Sequence, residues 1–410
     1  MRKKVCIGDL GTIVTGNTPP RNRPELYGNH TPFIKATDIS ESEKYTYNPE
    51  ECYSEEGYNK YIKSLIPKGS TCVVTIGSIG KKMTMAHCDL FINQAMNAII
   101  PNACFDSEYV YYAVKNVLGN IKTLDSGTAS GRENVSKSAF SKMEIWVEEE
   151  LPIQQRIATI LSRYDSLIEN YQKQIKLLEE SAQRLYKEWF IDLRFPGHEN
   201  TKIVDGVPEG WEKICIDSLV GKLESGSRPK GGIDTSIKDG VASVGAENVI
   251  GLGQYNFSSE KLVSYDFYNN AKKGRIENKD ILIYKDGAYI GRTSLFQDNF
   301  PHKEAMINEH VFLLHTKKEV NQYFLFFTLY QKVYFEKMQK LNKNAAQPGL
   351  NQNAIKSLKL LMPNEKLIVR FDEIISPMMK VLFDLANQIR HLTEARDRLL
   401  PKLMSGEIKV

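Results

Sequence analysis

The chain of 410 residues is 41% hydrophobic and 25% charged, the composition of an ordinary soluble globular protein with room for two or three domains, which excludes a disordered or fibrous chain. Its longest apolar run, "YFLFFTLY" at 323–330, is far short of the roughly 20 residues that a membrane helix needs. A formal net charge of +4 is too small to declare a nucleic-acid binder, because phosphate binding needs a concentrated positive face rather than a positive total.

The start, "MRKKVCIGDL", has basic residues but no apolar segment after them, since Gly8 and Asp9 interrupt it; no signal peptide and a cytoplasmic location without a membrane span are therefore expected. Cysteines stand at 6, 52, 72, 88, 104 and 215, with no two at the short spacing of a zinc site, so buried thiols in a reducing compartment are expected and no metal. Residues 1–150 balance 17 Lys and Arg against 18 Asp and Glu, and only 211–361 lean basic, with 21 against 16.

In chain order, "TCVVTI" and "AIIP" read as strands. "SEYVYYAVKNVLGNI" reads as a helix with one apolar face. From Pro152, well placed at a helix start, apolar residues recur at Ile153, Ile157, Ile160, Tyr164, Leu167, Tyr171, Ile175, Leu178, Ala182, Leu185 and Trp189. Steps of three and four make this a coiled-coil stripe, with one extra residue near Tyr171 that relaxes the supercoil. "FPGHENTKIVDGVPEGWEK" is a Pro- and Gly-rich connector. "DILIY" and "VFLLHT" again read as strands, and "VNQYFLFFTLYQKVYFEKMQKL" as helix with one apolar face. A second stripe runs through Leu367, Phe371, Ile375, Met378, Leu382, Leu385, Ile389, Leu392, Ala395, Leu399 and Leu403. Pro377 inside it predicts a kink or break.

The halves repeat one plan at an offset of roughly 210 residues, the self-similarity that is sought before a fold is assigned. "CIGDLGTIVTGNTPPR" falls on "CIDSLVGKLESGSRPK", "FIKATDI" on "SVGAENV", "VVTIGSIGK" on "LIYKDGAYIGR" and "FINQAM" on "MINEHV". "SGTASGREN" falls on "KNAAQPGLN" and "AFSKMEI" on "AIKSLKL", always in the same order. The helix ends "LEESAQRLYKEWF" and "LTEARDRLLPKLM" match as well. A helix of roughly 40 residues is a rod of about 60 Å, longer than a 150-residue domain is wide, so part of it must pack outside its own domain. The other copy, with a stripe of matching length and step, is the expected partner. The predicted fold is therefore α+β: two tandem pseudo-symmetric mixed α/β domains joined by two long antiparallel coiled-coil helices. The boundaries fall at 1–150, 151–192, 193–210 (connector), 211–361 and 362–410.

Over essentially its whole length the chain resembles the DNA specificity subunits of type I restriction-modification systems. The residues that carry the likeness are "LPIQQRIATILSRYDSLIE", "LYKEWFIDLRFPGHE", "VPEGWE", "NAAQPGLN" and "LLPKLMSGEIKV". The resemblance implies two target recognition domains that each read one part of a split, asymmetric site in double-stranded DNA. It implies a helix pair that acts as a ruler and docks two methyltransferase subunits, and a subunit that performs no chemistry itself. It further implies a complex that methylates adenine with S-adenosylmethionine and, with motor-nuclease subunits, cleaves unmodified DNA using ATP and Mg; no cofactor is expected in this chain. The sequence departs from the pattern at "MPNEKLIVRFDEIISPMM" and at Pro377, which puts the symmetry of the two docking sites in question. Half-sites about one turn apart, ~34 Å, are expected.

Base reading needs polar and basic side chains on loops that enter a groove. In the first copy the candidates are Thr15, Thr18, Arg21, Lys35, Thr37, Ser78, Lys81, Lys82, Ser130, Arg132 and Asn134. In the second they are Ser227, Arg228, Lys230, Glu247, Asn248, Lys285, Tyr289, Arg292, Asn344, Gln347 and Asn351. The competing reading is that recurrent Gly and Asn loops only shape tight turns, and residues shared by both heads are the poorer candidates. The helix-pair candidates are Ile160, Tyr164, Leu167, Tyr171, Ile175, Leu178, Leu185, Phe371, Ile375, Leu382, Leu385, Ile389, Leu392 and Leu399. "GSIGKK" has the wrong spacing for a phosphate-binding loop, with Met83 where a hydroxyl belongs. "GNTPP" lacks the aromatic that would stack on a flipped base, and the acid-x-Lys triplets at 277–279 and 407–409 are what chance gives. A duplicated scaffold that binds only proteins is the alternative.

Overall fold

The computed structural model describes residues 2–125, 133–287, 289–341 and 349–410. It forms two compact units, Met1–Glu169 with His391–Val410, and Asn170–Arg390.

In the first unit, strand Arg2–Cys6 pairs antiparallel with Glu144–Glu148, so the chain leaves this head next to where it entered. An antiparallel sheet has the spatial order Gly11–Thr15, Met96–Pro101, Thr71–Val74, Met83–Met85. All of Thr71–Val74 is buried, because both faces are covered. Val73 joins the aromatic core with Tyr109 and Tyr112, while Cys72 and Val74 join Ile34, Leu90 and Ile92 on the other side, which is why the strand reads as an unbroken apolar run rather than an alternation. A second sheet is ordered Tyr27–Gly28, Glu51–Tyr53, Thr31–Ile34, Phe91–Ile92, its last pair parallel. The helix Ser107–Asn116 starts where the Asp106 carboxylate accepts from Tyr109 N–H, a side-chain N-cap.

The second unit repeats that topology. Its antiparallel sheet runs Val220–Ser225, Val311–Thr316, Asp280–Tyr284, Thr293–Phe296, and its second sheet Leu262–Val263, Val241–Val244, Ala305–Ile307, with the last pair again parallel. The expected one-faced helix at 320–341 is two helices, Gln322–Tyr330 and Lys332–Leu341. Residues 322–329 are buried on every side, the state of a helix inside a core rather than on its surface. His315 Nδ1 lies 2.8 Å from Oδ1 of the fully buried Asp280, and this bond raises the imidazole pKa above 6.5. A raised folded-state pKa gives stability that is complete below about pH 6.5 and lost as pH rises through the higher folded value. His315→Asn should therefore flatten the fall in stability of this unit above pH 6.5, as measured by urea melts on either side of it.

The long helices are Leu151–Tyr186, of 36 residues, followed by a π-helical turn at Lys187–Ile191, and Glu365–Ser405, of 41 residues. In the first unit Ile157, Ala158 and Leu161 share a core with Leu400, Leu403 and Met404, and Arg396 NH1 reaches Asp165 Oδ1 at 2.6 Å. In the second, Phe371 packs on Tyr186, Trp189 and Phe190, and Ile175 lies by Leu382 and Ala386 near Gly253. In each unit later residues of one helix meet earlier residues of the other, so the helices are antiparallel.

The sequence stripe needs correction. Leu167 is 43% exposed, and the buried residues are its neighbours Leu161, Asp165 and Ile168. Ile160, Tyr164, Tyr171, Leu178, Leu185, Ile389, Leu392 and Leu399 are half-buried, while Ile175, Phe371, Ile375, Leu382 and Leu385 are buried. With apolar residues at both 160 and 161, and at both 167 and 168, spacing alone does not fix which of each pair faces inward. Contact with the head decides it, through Tyr112, whose hydroxyl donates to Asp165. Pro377 does not break its helix. Both Pro377 and Glu373, whose carbonyl loses its partner, are exposed, so the freed carbonyl is not buried and the missing bond costs little.

Candidate nucleic-acid interface

The folded heads bring the four candidate loops of each copy together. In the first, the loop after Gly11–Thr15 carries Arg21, which grips Glu51 with two nitrogens at 2.5 and 3.0 Å. Lys35 binds the same carboxylate at 3.4 Å and also Glu50. Lys82 Nζ donates to Ala36 O at 3.5 Å, which joins the third loop to the second. Gly77 N donates to Glu133 O at 3.0 Å, and Ile76 bridges Asn134, which joins the fourth loop to the third.

The second head repeats this chain of contacts with other side chains. Lys285 Nζ reaches Ser225 Oγ at 3.3 Å, Arg292 NH1 reaches Val249 O at 3.4 Å, and Leu350 N donates to Lys285 O at 2.8 Å. The Arg292 guanidinium stacks 4.0 Å from the ring centre of the exposed Tyr289. Arg228 Nε lies 3.1 Å from Glu309 Oε1.

Among the other candidates, Thr37, Ser78, Lys81 and Lys230 are exposed and Ser227 is half-buried. Thr15 donates to Asn97 Oδ1 at 2.6 Å. Thr18 donates to Gln94. Ser130, Arg132, Asn344 and Gln347 lie outside the described residues. Two candidates have a different role. Asn248 is 1% exposed and accepts from Gly245 N at 2.8 Å, while its amide donates to Asn256 O and Ser259 Oγ, so both of its N–H donors are used and the side chain is buried away from a base. Asp38 makes the matching turn in the first head, accepting from Lys35 N at 2.8 Å. Asn351 caps the helix Gln352–Ser357, accepting from Ala354 N at 2.8 Å. Asn248 and Asn351 shape the local backbone, as the turn-shaping reading of Asn loops describes.

The charge on the face is not simply positive. Hydrogen bonding to Arg21, above all, holds the Glu51 carboxyl below its ordinary value, and the same bond raises the Arg21 pKa. Arg21, Lys35 and Arg228 are thus held by acids before any phosphate arrives, which fixes their direction at a cost in raw attraction. Gln94 and Glu309 also sit in these contacts, and neither was a sequence candidate. The signal lay in the alignment of "FINQAM" with "MINEHV", where an unshared polar residue follows a shared Ile-Asn. Among the described residues no group of three His, Cys, Asp or Glu is placed to hold a metal ion, and no helix is long and apolar enough to cross a membrane.

Comparison with known proteins agrees with the duplication. The chain is 27% identical over 422 residues to the type I restriction enzyme MjaIX specificity subunit of Methanocaldococcus jannaschii, which spans 98% of this chain and 93% of that protein. It is 34% identical over 142 residues to the HindI specificity subunit of Haemophilus influenzae, covering 34% of this chain and 30% of that one. The crystal structure of the type I restriction-modification S subunit from M. genitalium shares the fold, with a TM-score of 0.60 and 17% identity over 98% of this chain and 96% of that one. The family described as the type I restriction modification DNA specificity domain matches twice, at residues 2–180 and 208–394. Both heads and most of both long helices lie inside those two matches, and the chain belongs to that family.

Proposed function

We propose that each head reads one half of a split, asymmetric site in double-stranded DNA, and that the helix pair sets the spacer and docks two methyltransferase subunits. The observation that carries this reading is the repetition of one four-loop face on one topology with different side chains. A shared framework supplies the same approach to a duplex, and unlike donors and acceptors supply unlike sequences. Helices of 36 and 41 residues, at ~1.5 Å per residue, are long enough to set a separation of about one DNA turn, ~34 Å. The chemistry belongs to the partners: S-adenosylmethionine-dependent adenine methylation to the methyltransferases, and ATP- and Mg-dependent cleavage to motor-nuclease subunits, in the cytoplasm. This chain selects where they act.

Exchanging residues 2–148 for those of a relative is the test, read by sequencing methylated adenines in cells that carry the chimera. One half of a gapped motif should change and the other half and the gap should stay. A change in both halves, or a short unbroken palindrome, contradicts the split reader. A chain that binds only proteins would leave methylation unaltered.

A further inference from the structure

The two heads place one contact at the same point of their frameworks and build it from different chemistry. Gly16 and Gly226 end the first strand of each head's main sheet. A Cβ at Gly16 would lie 2.2 Å from Ile92 O and 2.3 Å from Asn93 O, and one at Gly226 would lie 2.0 Å from Ile307 O and 2.4 Å from Asn308 O. Only glycine permits so close a backbone approach. The opposing Ile-Asn segments are anchored alike, Asn93 N donating to Ile34 O at 3.0 Å and Asn308 N to Val244 O at 2.9 Å. Two residues after each glycine and one after each asparagine, the side chains meet. In the first head Thr18 Oγ1 donates to Gln94 Oε1, and in the second Arg228 Nε lies 3.1 Å from Glu309 Oε1.

The framework is thus duplicated to within tenths of an ångström while both members of the pair have changed together, from neutral to charged. Gln94 is exposed and the Arg228 side chain is 62% exposed, so the pairs present their remaining groups to whatever meets this face. We infer that Gln94, oriented by Thr18, and Arg228, oriented by Glu309, are the matched base-reading positions of the two heads, the first specifying an A·T pair and the second a G·C pair. A glutamine amide matches adenine N6 and N7, and a guanidinium matches guanine O6 and N7. Fixing Nε on a carboxylate aims the fork of terminal nitrogens and removes rotamer freedom that binding would otherwise have to remove. Glu309 is a positioning residue in this scheme, and it also lies 3.6 Å from His310 Nε2.

This inference rests on the reading of the four-loop face as the DNA interface. The test selects binders from DNA duplexes randomised over both half-sites, using the full chain in its assembled complex. Thr18→Arg with Gln94→Glu moves the second head's pair into the first. One position of one half-site should switch from A·T to G·C by roughly tenfold or more, with every other position unchanged. Arg228→Lys keeps the charge but loses the fork, so it should relax a guanine in the other half-site while leaving the salt dependence of binding unaltered; this variant decides the matter if the double substitution does not fold. Glu309→Gln should weaken the same guanine preference without moving it. An unchanged motif, or a uniform loss of affinity with a shallower salt slope as for a phosphate contact, overturns the assignment. If these variants leave the motif alone while exchange of residues 2–148 still alters a half-site, only this inference falls. If that exchange is silent too, the split-reader proposal falls with it.

Discussion

Phe371→Ala is expected to cost about 3–5 kcal/mol, the range for removing a buried aromatic ring whose surroundings relax only in part. The ring is fully buried and lies edge-on to Phe190 at 5.0 Å and 81°, to Tyr186 at 6.1 Å and 70°, and to Phe327 at 6.2 Å and 87°, with Trp189 tilted at 6.0 Å. Such edge-to-face pairs contribute beyond the area they bury. One ring thus ties three pieces of the second unit: the π-helical end of the first long helix, the buried helix Gln322–Tyr330, and the second long helix. Calorimetry of the full chain should show the transition of this unit moving down, while Val381→Ala, at a residue 48% exposed on the same helix, should change little. A loss below about 1 kcal/mol for Phe371→Ala would mean that the aromatic cluster does not hold these helices together.

That cluster was half legible in the sequence. Phe371, Trp189 and the repeated helix ends were visible because a stripe with steps of three and four survives any local detail. The inward face was not, because Ile160 beside Leu161 and Leu167 beside Ile168 satisfy the same period one residue apart. Only the Tyr112 hydroxyl and Arg396, neither of which belongs to a hydrophobic pattern, select Asp165 and its neighbours for burial. "VNQYFLFFTLY" failed for a related reason, since amphipathicity is the signal of a surface helix and a helix buried on all sides has none. In the heads, alignment of the two copies located the loops well, because glycines such as Gly16 and Gly226 mark backbone contacts that the fold cannot move. It did not tell side chains that shape the backbone from those left open to a partner. Asn248 and Asn351 have the composition of base readers, yet their hydrogen bonds go to a turn and a helix cap, and an Asn in a loop gives no sign of which it will do. Gln94 and Glu309 were not among the candidates because they sit in short turns between strands rather than in Gly-rich loops.

Asp165→Ala is expected to cost about 3–5 kcal/mol, because it leaves the buried Arg396 with only the half-exposed Asp397 as counter-charge and the Tyr112 hydroxyl without its acceptor. Arg396 is 5% and Asp165 8% exposed. The guanidinium reaches Asp165 at 2.6 Å and Asp397 at 2.8 Å, and the second oxygen of Asp165 accepts from Tyr112. The aspartate therefore satisfies one group on the opposite helix and one on the head. Removing the pair as a whole has a different expected result: Asp165→Leu with Arg396→Leu should cost clearly less than Asp165→Ala alone, since the cost of taking both charges from water disappears with their attraction and what remains is the Tyr112 hydroxyl without its acceptor. Urea melts of the two single variants and the double would give the coupling directly; if Asp165→Ala alone is neutral, the pair is solvated and the seam lies elsewhere. Such a pair contributes little net stability when intact, so its value lies in what it excludes. When the helix ends of the two copies are aligned, Arg396 falls on Ala182, and when the helix starts are aligned, Asp165 falls on Ser376. If the first half of the chain packed against a copy of itself, Asp165 would face an alanine, and if the second half did so, Arg396 would face a serine. The first leaves Asp165 buried without a counter-charge and the second leaves Arg396 with only the half-exposed Asp397, which penalises like-with-like pairing by more than the correct pairing gains. The leucine pair abolishes that penalty while keeping the helices apolar. The double variant should accordingly stay folded and begin to form exchanged dimers at high concentration, read by light scattering, whereas a strictly monomeric double variant would show that selection between the copies resides outside this pair.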